Sequence, residues 1–120
     1  MFQLREEHEK ALAGVALANF EDRALDHVRK NLPKQTAGLA EEDLRVRIRR
    51  EAERSRHYGL TSERQIMRFV DAHFVLGEGY LDDPAHQWAH EILEAKSNAD
   101  ERAYRLLDGA VKRAPGGAQK

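Results

Sequence analysis

The chain has 120 residues, of which 41% are hydrophobic and 34% are charged, with 8 glycines, 3 prolines, no cysteine and a formal net charge of −1. This composition is typical of one helix-rich globular domain, and the absence of cysteine excludes a disulfide framework, a thiol nucleophile and a thiolate zinc site. No apolar run approaches the ~20 residues of a membrane span, and the first residues lack the apolar core of a secretory signal, so we expect a cytoplasmic protein.

Two helices are predicted in the first half of the chain, because apolar residues recur there at three- and four-residue steps. The first runs from about Leu4 to Asn31 and ends before Pro33. A loop is expected over residues 34–38, followed by a second helix over residues 39–57. Gly59 then stands where a left-handed residue often closes a helix. The second helix has one narrow apolar stripe, formed by Leu44, Ile48 and Ala52.

A third helix is expected to begin after Ser62, because Ser62 followed by Gln65 has the form of a capping box. It ends at Gly77 and Gly79. Its apolar side chains, together with His73, cover a continuous arc of roughly 220° on a helical projection. The arc is formed by Ile66, Met67, Phe69, Val70, Ala72, His73, Phe74 and Leu76. We therefore predict that this helix is central and the most buried.

Asp83 and Pro84 predict the start of a fourth helix, with the carboxylate as cap and the proline at the first helical position. Asn98 or Ser97 caps a fifth. The fold predicted from these elements is an all-α single compact bundle of about five helices over residues 1–114, with a flexible C-terminal tail over residues 115–120. Its core is expected between the third and fourth helices, from Phe69, Val70, Phe74, Trp88, Ile92 and Leu93.

Charge is distributed unevenly along the chain. Between Arg45 and Arg68 there are eight arginines and three glutamates, a net charge of +5. From Phe69 to Ala95 there is no lysine or arginine, and six acidic residues give −6. The two blocks either neutralise each other within the fold or present two faces of opposite potential to partners.

A row of polar residues on the predicted fourth helix permits a metal site. His86 and His90 are four residues apart, and Glu94 continues the row. Gln87 occupies the second position of the five-residue motif, which excludes the zinc-protease pattern with its general-base glutamate. Because structural zinc normally needs four ligands and no cysteine is present, a solvated helix edge is the preferred interpretation. We predict neither a metal nor a cofactor.

Catalytic residues are not evident. His73 projects from the middle of the apolar arc, where a catalytic base would need an orienting carboxylate and an open pocket. A packed histidine with one hydrogen-bonded nitrogen, or a histidine on an apolar binding face, is preferred. There is no Gly-x-Ser-x-Gly elbow and no glycine-rich phosphate loop. Helix capping explains Asp83, and the favourable negative charge at a helix N-terminus explains Asp82. We predict that the protein is not an enzyme.

The run from Arg45 to Arg50 invites a nucleic-acid interpretation, because its guanidinium groups cover most of the helix circumference. Against this stand the slightly acidic chain, the lack of an aromatic residue within the run, and the acidic residues around it. Intrahelical pairs such as Glu41 with Arg45 would absorb much of the charge. We therefore do not expect nucleic acid to be the main partner.

A pattern of spaced apolar and turn residues lies between Tyr58 and Leu93. It consists of Tyr58-Gly59-Leu60-Thr61-Ser62, Ile66, Phe69-Val70-Asp71, Phe74, Leu76-Gly77, Tyr80, Asp82-Asp83-Pro84, Trp88-Ala89 and Ile92-Leu93. This pattern resembles a group of small helical proteins encoded beside type VI secretion components, near spike-tip (PAAR-type) effectors and their chaperones. The resemblance implies a cytosolic accessory or co-chaperone that helps to load an effector, and it brings no catalytic residues.

We expect a non-catalytic protein-binding module, a type VI secretion accessory or co-chaperone that binds a secreted effector or its larger chaperone, with no membrane association. Two alternatives stay open. One is an immunity protein that blocks a toxin with the acidic stretch Glu78–Glu94, and the other is a helical nucleic-acid binder that uses Arg45–Arg56. Because charge complementarity selects partners, the residues predicted to contact the partner are Arg47, Arg50, Arg54, Asp82, Glu91 and Glu94.

Overall fold

The computed structural model describes residues 19–114, and every regular element in this range is helical. The predicted all-α bundle is therefore confirmed as the fold class. The start of the predicted first helix, before residue 19, and the predicted tail over residues 115–120 lie outside the described residues. The elements are α1 (residues 19–31), α2 (Pro33–Thr36), α3 (Glu41–His57), α4 (Glu63–Leu76), two 3₁₀ turns (Tyr80–Asp82 and Pro84–His86), α5 (Gln87–Leu93) and α6 (Ala99–Arg113).

The predicted helix caps are present in the structure. The Ser62 hydroxyl accepts a hydrogen bond from the Gln65 backbone N–H at 3.1 Å, and the Gln65 side chain accepts one from the Ser62 N–H at 3.1 Å. Asn98 caps α6 by accepting from the Glu101 N–H at 2.8 Å. Gly59 has a φ of 79°, the left-handed conformation expected after α3. These local signals fix where α3 ends and where α4 and α6 begin.

Two predicted boundaries need correction. The segment expected to be a loop over residues 34–38 begins with the short helix α2, because the fixed φ of Pro33 suits a first helical turn. The predicted fourth helix does start with a cap, since Asp83 accepts from the Ala85 N–H at 2.9 Å. Its first turn, Pro84–His86, is a 3₁₀ turn, and the α-helix begins only at Gln87.

Helix α4 is the central element, as predicted, because it serves two separate apolar clusters. One joins α4 to α5 and α6 and contains Phe69, Ala72, Val75, Leu93, Ala103, Leu106 and Ala110. The other joins α4 to α1 and α3 and contains Phe20, Ala24, Val28, Leu44, Ile48, Ala52, Ile66, Val70 and Phe74. Most of the wide apolar arc of α4 is thus buried within the chain on both sides and is core. Met67 and Leu76 are the members of the arc that are only partly buried.

The predicted core between the third and fourth helices is wrong in its pairing. Helix α5 packs mainly against α6, whereas α4 packs mainly against α6 and α3. Phe69 and Leu93 share the first cluster, but Val70 and Phe74 belong to the second. Trp88 and Ile92 are only partly buried at the edge of the first cluster. Their spacing correctly marked an apolar helix face, but it could not identify the helix that covers it.

Arg102 of α6 ties together three chain segments. Its guanidinium donates to the carbonyl oxygens of Tyr58 at 2.7 Å and Leu93 at 2.9 Å, and its Nε donates to that of Ser97 at 3.0 Å. Tyr58 is the C-cap of α3 and Leu93 is the last residue of α5, positions where carbonyl oxygens lack partners along the helix, and Ser97 precedes the N-cap of α6.

Among the described helices, none is long and apolar enough to cross a lipid bilayer.

Candidate functional site

An open groove of about 830 Å³ runs along the outer face of α3. This face of α3 is exposed because Leu44, Ile48 and Ala52, on the opposite side of the helix, pack into the core. Val46, with an exposed fraction of 47%, gives the groove an apolar contact point. The complete lining consists of Val46, Arg49, Arg50, Glu53, Arg54, Arg56 and His57. We call this surface the α3 groove; two of its residues, Arg50 and Arg54, were predicted to contact a partner.

Most of the arginines in the α3 groove are paired with carboxylates of the same chain. Arg49 donates to both carboxylate oxygens of Glu21, at 2.7 and 3.1 Å. Arg50 donates to Glu78 at 2.5 Å and to Glu51 at 3.3 Å. The alternative that the two charge blocks neutralise each other is thus realised at the contact between Arg50 and Glu78. The hydrogen bonds from Arg49 to Glu21 raise the pKa of Arg49, and they fix the position of its guanidinium group.

A smaller cluster of buried polar groups lies beneath the α3 groove. Glu51, His73 and Tyr80 are exposed by only 0%, 1% and 2%. The His73 ring stands between two acids, with Nδ1 3.7 Å from Glu51 and Nε2 3.5 Å from Glu78. Glu51 Oε1, His73 Nε2 and the Tyr80 hydroxyl have no hydrogen-bond partner among the described residues. Unpaired buried polar atoms are costly, so this cluster reduces the stability of the core.

Burial dominates the protonation of this cluster. It lowers the pKa of His73 to about 4, so the imidazole is neutral near pH 7. It raises the pKa of Glu51, although Arg54 and Arg50 oppose that change, and it raises the pKa of Tyr80 above its usual range. Of the two alternatives that the sequence left open, His73 is thus the packed histidine and not part of an exposed binding face. Its Nε2 has no hydrogen-bond partner among the described residues. Because it is sealed from solvent, no substrate reaches it in this arrangement.

A second, smaller groove of about 300 Å³ adjoins the first and shares Arg54 and His57 with it. Its other lining residues are Tyr58, Leu81, Asp82 and His90. The fold thus brings Arg54 and Asp82, both predicted to contact a partner, to one surface. Burial raises the pKa of the nearby Tyr58, and the carboxylate of Glu94 raises it further.

The remaining predicted contact residues are placed differently. Arg47 lies at the edge of the Arg50 network, 4.0 Å from Glu78. Glu91 on α5 and Glu94 at the C-terminal cap of α5 are exposed, and they line neither groove. The predicted set is therefore only partly one surface.

The polar row on α5 has structural partners. His90 Nε2 lies 2.5 Å from the carbonyl oxygen of Leu81, and because a carbonyl only accepts, this nitrogen carries the proton. His86 lies 3.8 Å from the capping carboxylate of Asp83. Within residues 19–114 there is no group of three metal-ligating side chains arranged to hold an ion.

Sequence reasoning missed a histidine–carboxylate pair on the other side of α4. His27 Nε2 donates to both oxygens of Asp71, at 2.9 and 3.0 Å. The two residues are 44 positions apart, so no local spacing links them. Glu51 was missed for another reason: it stands in a run of charged residues, although it directly precedes Ala52 of the apolar stripe. That position at the edge of the stripe was the available signal.

Comparison of the chain with protein-family models, with curated proteins and with solved structures gives no significant match.

Proposed function

We propose that the protein is a non-catalytic protein-binding module whose α3 groove holds an acidic segment of a protein partner. The observation that carries this proposal is the lining of the groove, in which four arginines and an exposed valine stand beside a single glutamate. Arginine at a partly desolvated surface with an apolar neighbour is a common anchor in protein interfaces. An acidic segment with one apolar side chain has the complementary chemistry.

The internal pairing of the arginines favours a protein over a nucleic acid. Arg49, Arg50 and Arg54 already have carboxylate partners. A phosphate backbone needs several free cationic groups, whereas among the described residues Arg56 is the one arginine of the groove without a carboxylate partner. A polypeptide segment can combine one ionic contact at Arg56 with an apolar contact at Val46.

A cytoplasmic accessory or co-chaperone role in type VI secretion is the biological setting that we propose, with a secreted effector or its larger chaperone as the partner. It is supported by the resemblance of residues 58–93 to small proteins encoded beside such systems. That segment contributes Tyr58, Leu81, Asp82 and His90 to the smaller groove. The resemblance therefore covers part of the smaller groove, which shares Arg54 and His57 with the α3 groove.

A substitution that tests the groove must leave the ion pairs of Arg50 and Arg54 intact. Reversing Arg50 or Arg54 would place a second carboxylate beside the buried Glu51, from which Arg54 lies only 3.9 Å away. Arg56 is exposed, lines the groove and has no carboxylate partner among the described residues. Arg56→Glu is thus the informative variant. Lys96→Glu, an exposed position outside both grooves, is the matched control for the same change in charge.

Tagged wild-type protein and both variants are expressed in the native host, and the proteins that copurify are identified by mass spectrometry. We expect a type VI effector or chaperone with wild type and Lys96→Glu. With Arg56→Glu, association with the purified partner should be slower and less dependent on salt, since charges at an interface rim act mainly on the association rate. Equal association of Arg56→Glu and wild type would contradict the proposal, as would recovery of nucleic acid without a protein partner.

A further inference from the structure

A separate groove of about 460 Å³ lies on another side of the bundle, lined by α1, α4 and α6. Met67 of α4 and Leu107 of α6 give it an apolar lining, and Arg64 and Arg68 of α4 stand beside them. We call it the α4–α6 groove. It shares no lining residue with the α3 groove or with the smaller groove beside it.

The acidic residues of the α4–α6 groove are already engaged. Glu63 accepts two hydrogen bonds from Arg23, the shorter at 2.5 Å. Asp71 accepts from His27. Asp100, which shares a neighbouring hollow with Arg64, accepts from the Gln65 amide at 2.7 Å.

The arginines of the same groove are not neutralised in this way. No carboxylate in residues 19–114 forms an ion pair with Arg64 or Arg68. Arg68 instead stands over the Tyr104 ring, 5.7 Å from its centroid. Tyr104 is 57% exposed and is the most exposed large hydrophobic side chain in the described range. Tyrosine and arginine are the residue types that most often dominate binding energy, and here they adjoin an apolar cleft.

We infer that the α4–α6 groove is a second docking surface, for an acidic amphipathic helix of a protein partner. Two guanidinium groups without a carboxylate partner in residues 19–114 favour negative charge in the occupant, and Met67 and Leu107 favour an apolar side chain between those charges. Grooves between helices receive the apolar face of an amphipathic helix, with anchors spaced three and four residues apart. A second copy of this groove would bring arginine against arginine, which disfavours symmetric self-association through it.

A second surface would extend the proposed function from binding to bridging. Because the two main grooves have no residue in common, a chain occupied at one remains free to bind at the other. The inference does not depend on the α3 groove, and its test uses residues outside that groove.

The test is selection from a phage-displayed library of random peptides, long enough to form several helical turns, on the full-length protein. We expect enriched peptides with acidic residues flanking apolar residues at helical spacing. Their affinity should fall about tenfold or more with the double variant Arg64→Glu/Arg68→Glu, as for loss of a binding hot spot. Tyr104→Ala, at an exposed position, should weaken the same peptides and serves if the double variant does not fold. Arg56→Glu in the α3 groove should leave their affinity within about twofold.

Three results would overturn the inference. The first is that no acidic peptide family is enriched. The second is that enriched peptides bind the double variant or the Tyr104 variant as tightly as wild type. The third is that a synthetic peptide of residues 1–18 displaces them, since the groove would then be a site for this chain's own segment. If the peptides depend on Arg56 instead, the proposed function stands and the second surface does not.

Discussion

Gly109 is predicted to be required by the packing of α5 on α6, although it lies inside a helix. Alanine is a better helix former than glycine by about 1 kcal/mol, so helix propensity alone predicts that Gly109→Ala stabilises the protein. In this structure, however, a Cβ at residue 109 would lie 2.6 Å from Cζ3 of Trp88 and 3.2 Å from Nη1 of Arg113. Unstrained carbon contacts are about 3.5–4.0 Å. The Arg113 guanidinium also covers the Trp88 ring, 4.2 Å from its centroid, so a shift of the ring would disturb this contact as well.

Overpacking of this kind costs about 1–3 kcal/mol. After the gain in helix propensity, Gly109→Ala is expected to reduce the free energy of unfolding by up to about 2 kcal/mol. Trp88→Ala should cost less than the roughly 3–5 kcal/mol of a fully buried tryptophan, because Trp88 is only partly buried. In the Trp88→Ala background the clash is absent, so Gly109→Ala should now stabilise by about 1 kcal/mol. The change of sign is the specific prediction.

The assay is urea unfolding followed by circular dichroism for wild type, both single variants and the double variant. Gly38→Ala is the control, because a Cβ there would meet nothing within 4 Å. It should be neutral or slightly stabilising. If Gly109→Ala stabilises the wild-type and the Trp88→Ala proteins equally, Trp88 does not pack on Gly109 and the described contact between α5 and α6 is wrong.

Two further predictions concern the partly buried Arg102 and the buried His73. Arg102→Ala should destabilise the protein by about 2–4 kcal/mol, because three carbonyl oxygens lose a charged donor; a loss below about 0.5 kcal/mol in urea unfolding, as for a surface substitution, would contradict this clamp. Burial lowers the pKa of His73 to about 4. Between about pH 6.5 and 4 the imidazole is therefore protonated in the unfolded chain and neutral in the folded protein. As pH falls through that window, the contribution of His73 to the free energy of unfolding is lost. Between pH 7 and 5 the free energy of unfolding of His73→Gln should therefore fall by about 2 kcal/mol less than that of wild type. The raised pKa of Glu51 acts in the opposite direction in both proteins, so it cancels in the comparison. Parallel curves of unfolding free energy against pH would refute the lowered pKa of His73.

Local signals in the sequence predicted helix boundaries well, because the groups that determine them are neighbours. Ser62 with Gln65, Asn98 with Glu101, and Gly59 each act within one turn, and the structure has all three. The apolar arc of α4 likewise predicted its central position. Its width was ambiguous between core and binding face until α1, α3 and α6 were placed around it.

Contacts distant in sequence could not be predicted in the same way. Nothing near Asp71 indicates His27, and nothing in the spacing of α5 indicates that Trp88 meets Gly109 of α6. The predicted contact residues Arg50 and Arg54 were recognised from their charge, and they do line a groove. What charge counting missed is that Glu51 and Glu78 hold those arginines, which moves the informative test to Arg56.

Photo-crosslinking from the α3 groove tests the central claim most directly, namely that this groove holds an acidic segment of a protein partner. A benzophenone amino acid replaces Val46, which is 47% exposed within the groove, and a control protein carries it at Lys96. In the native host, we predict that irradiation joins residue 46, but not residue 96, to an acidic segment of a type VI effector or chaperone, and that Arg56→Glu reduces the yield. Equal labelling at both positions, an adduct with nucleic acid, or an adduct with residues 1–18 of the same chain would contradict the account.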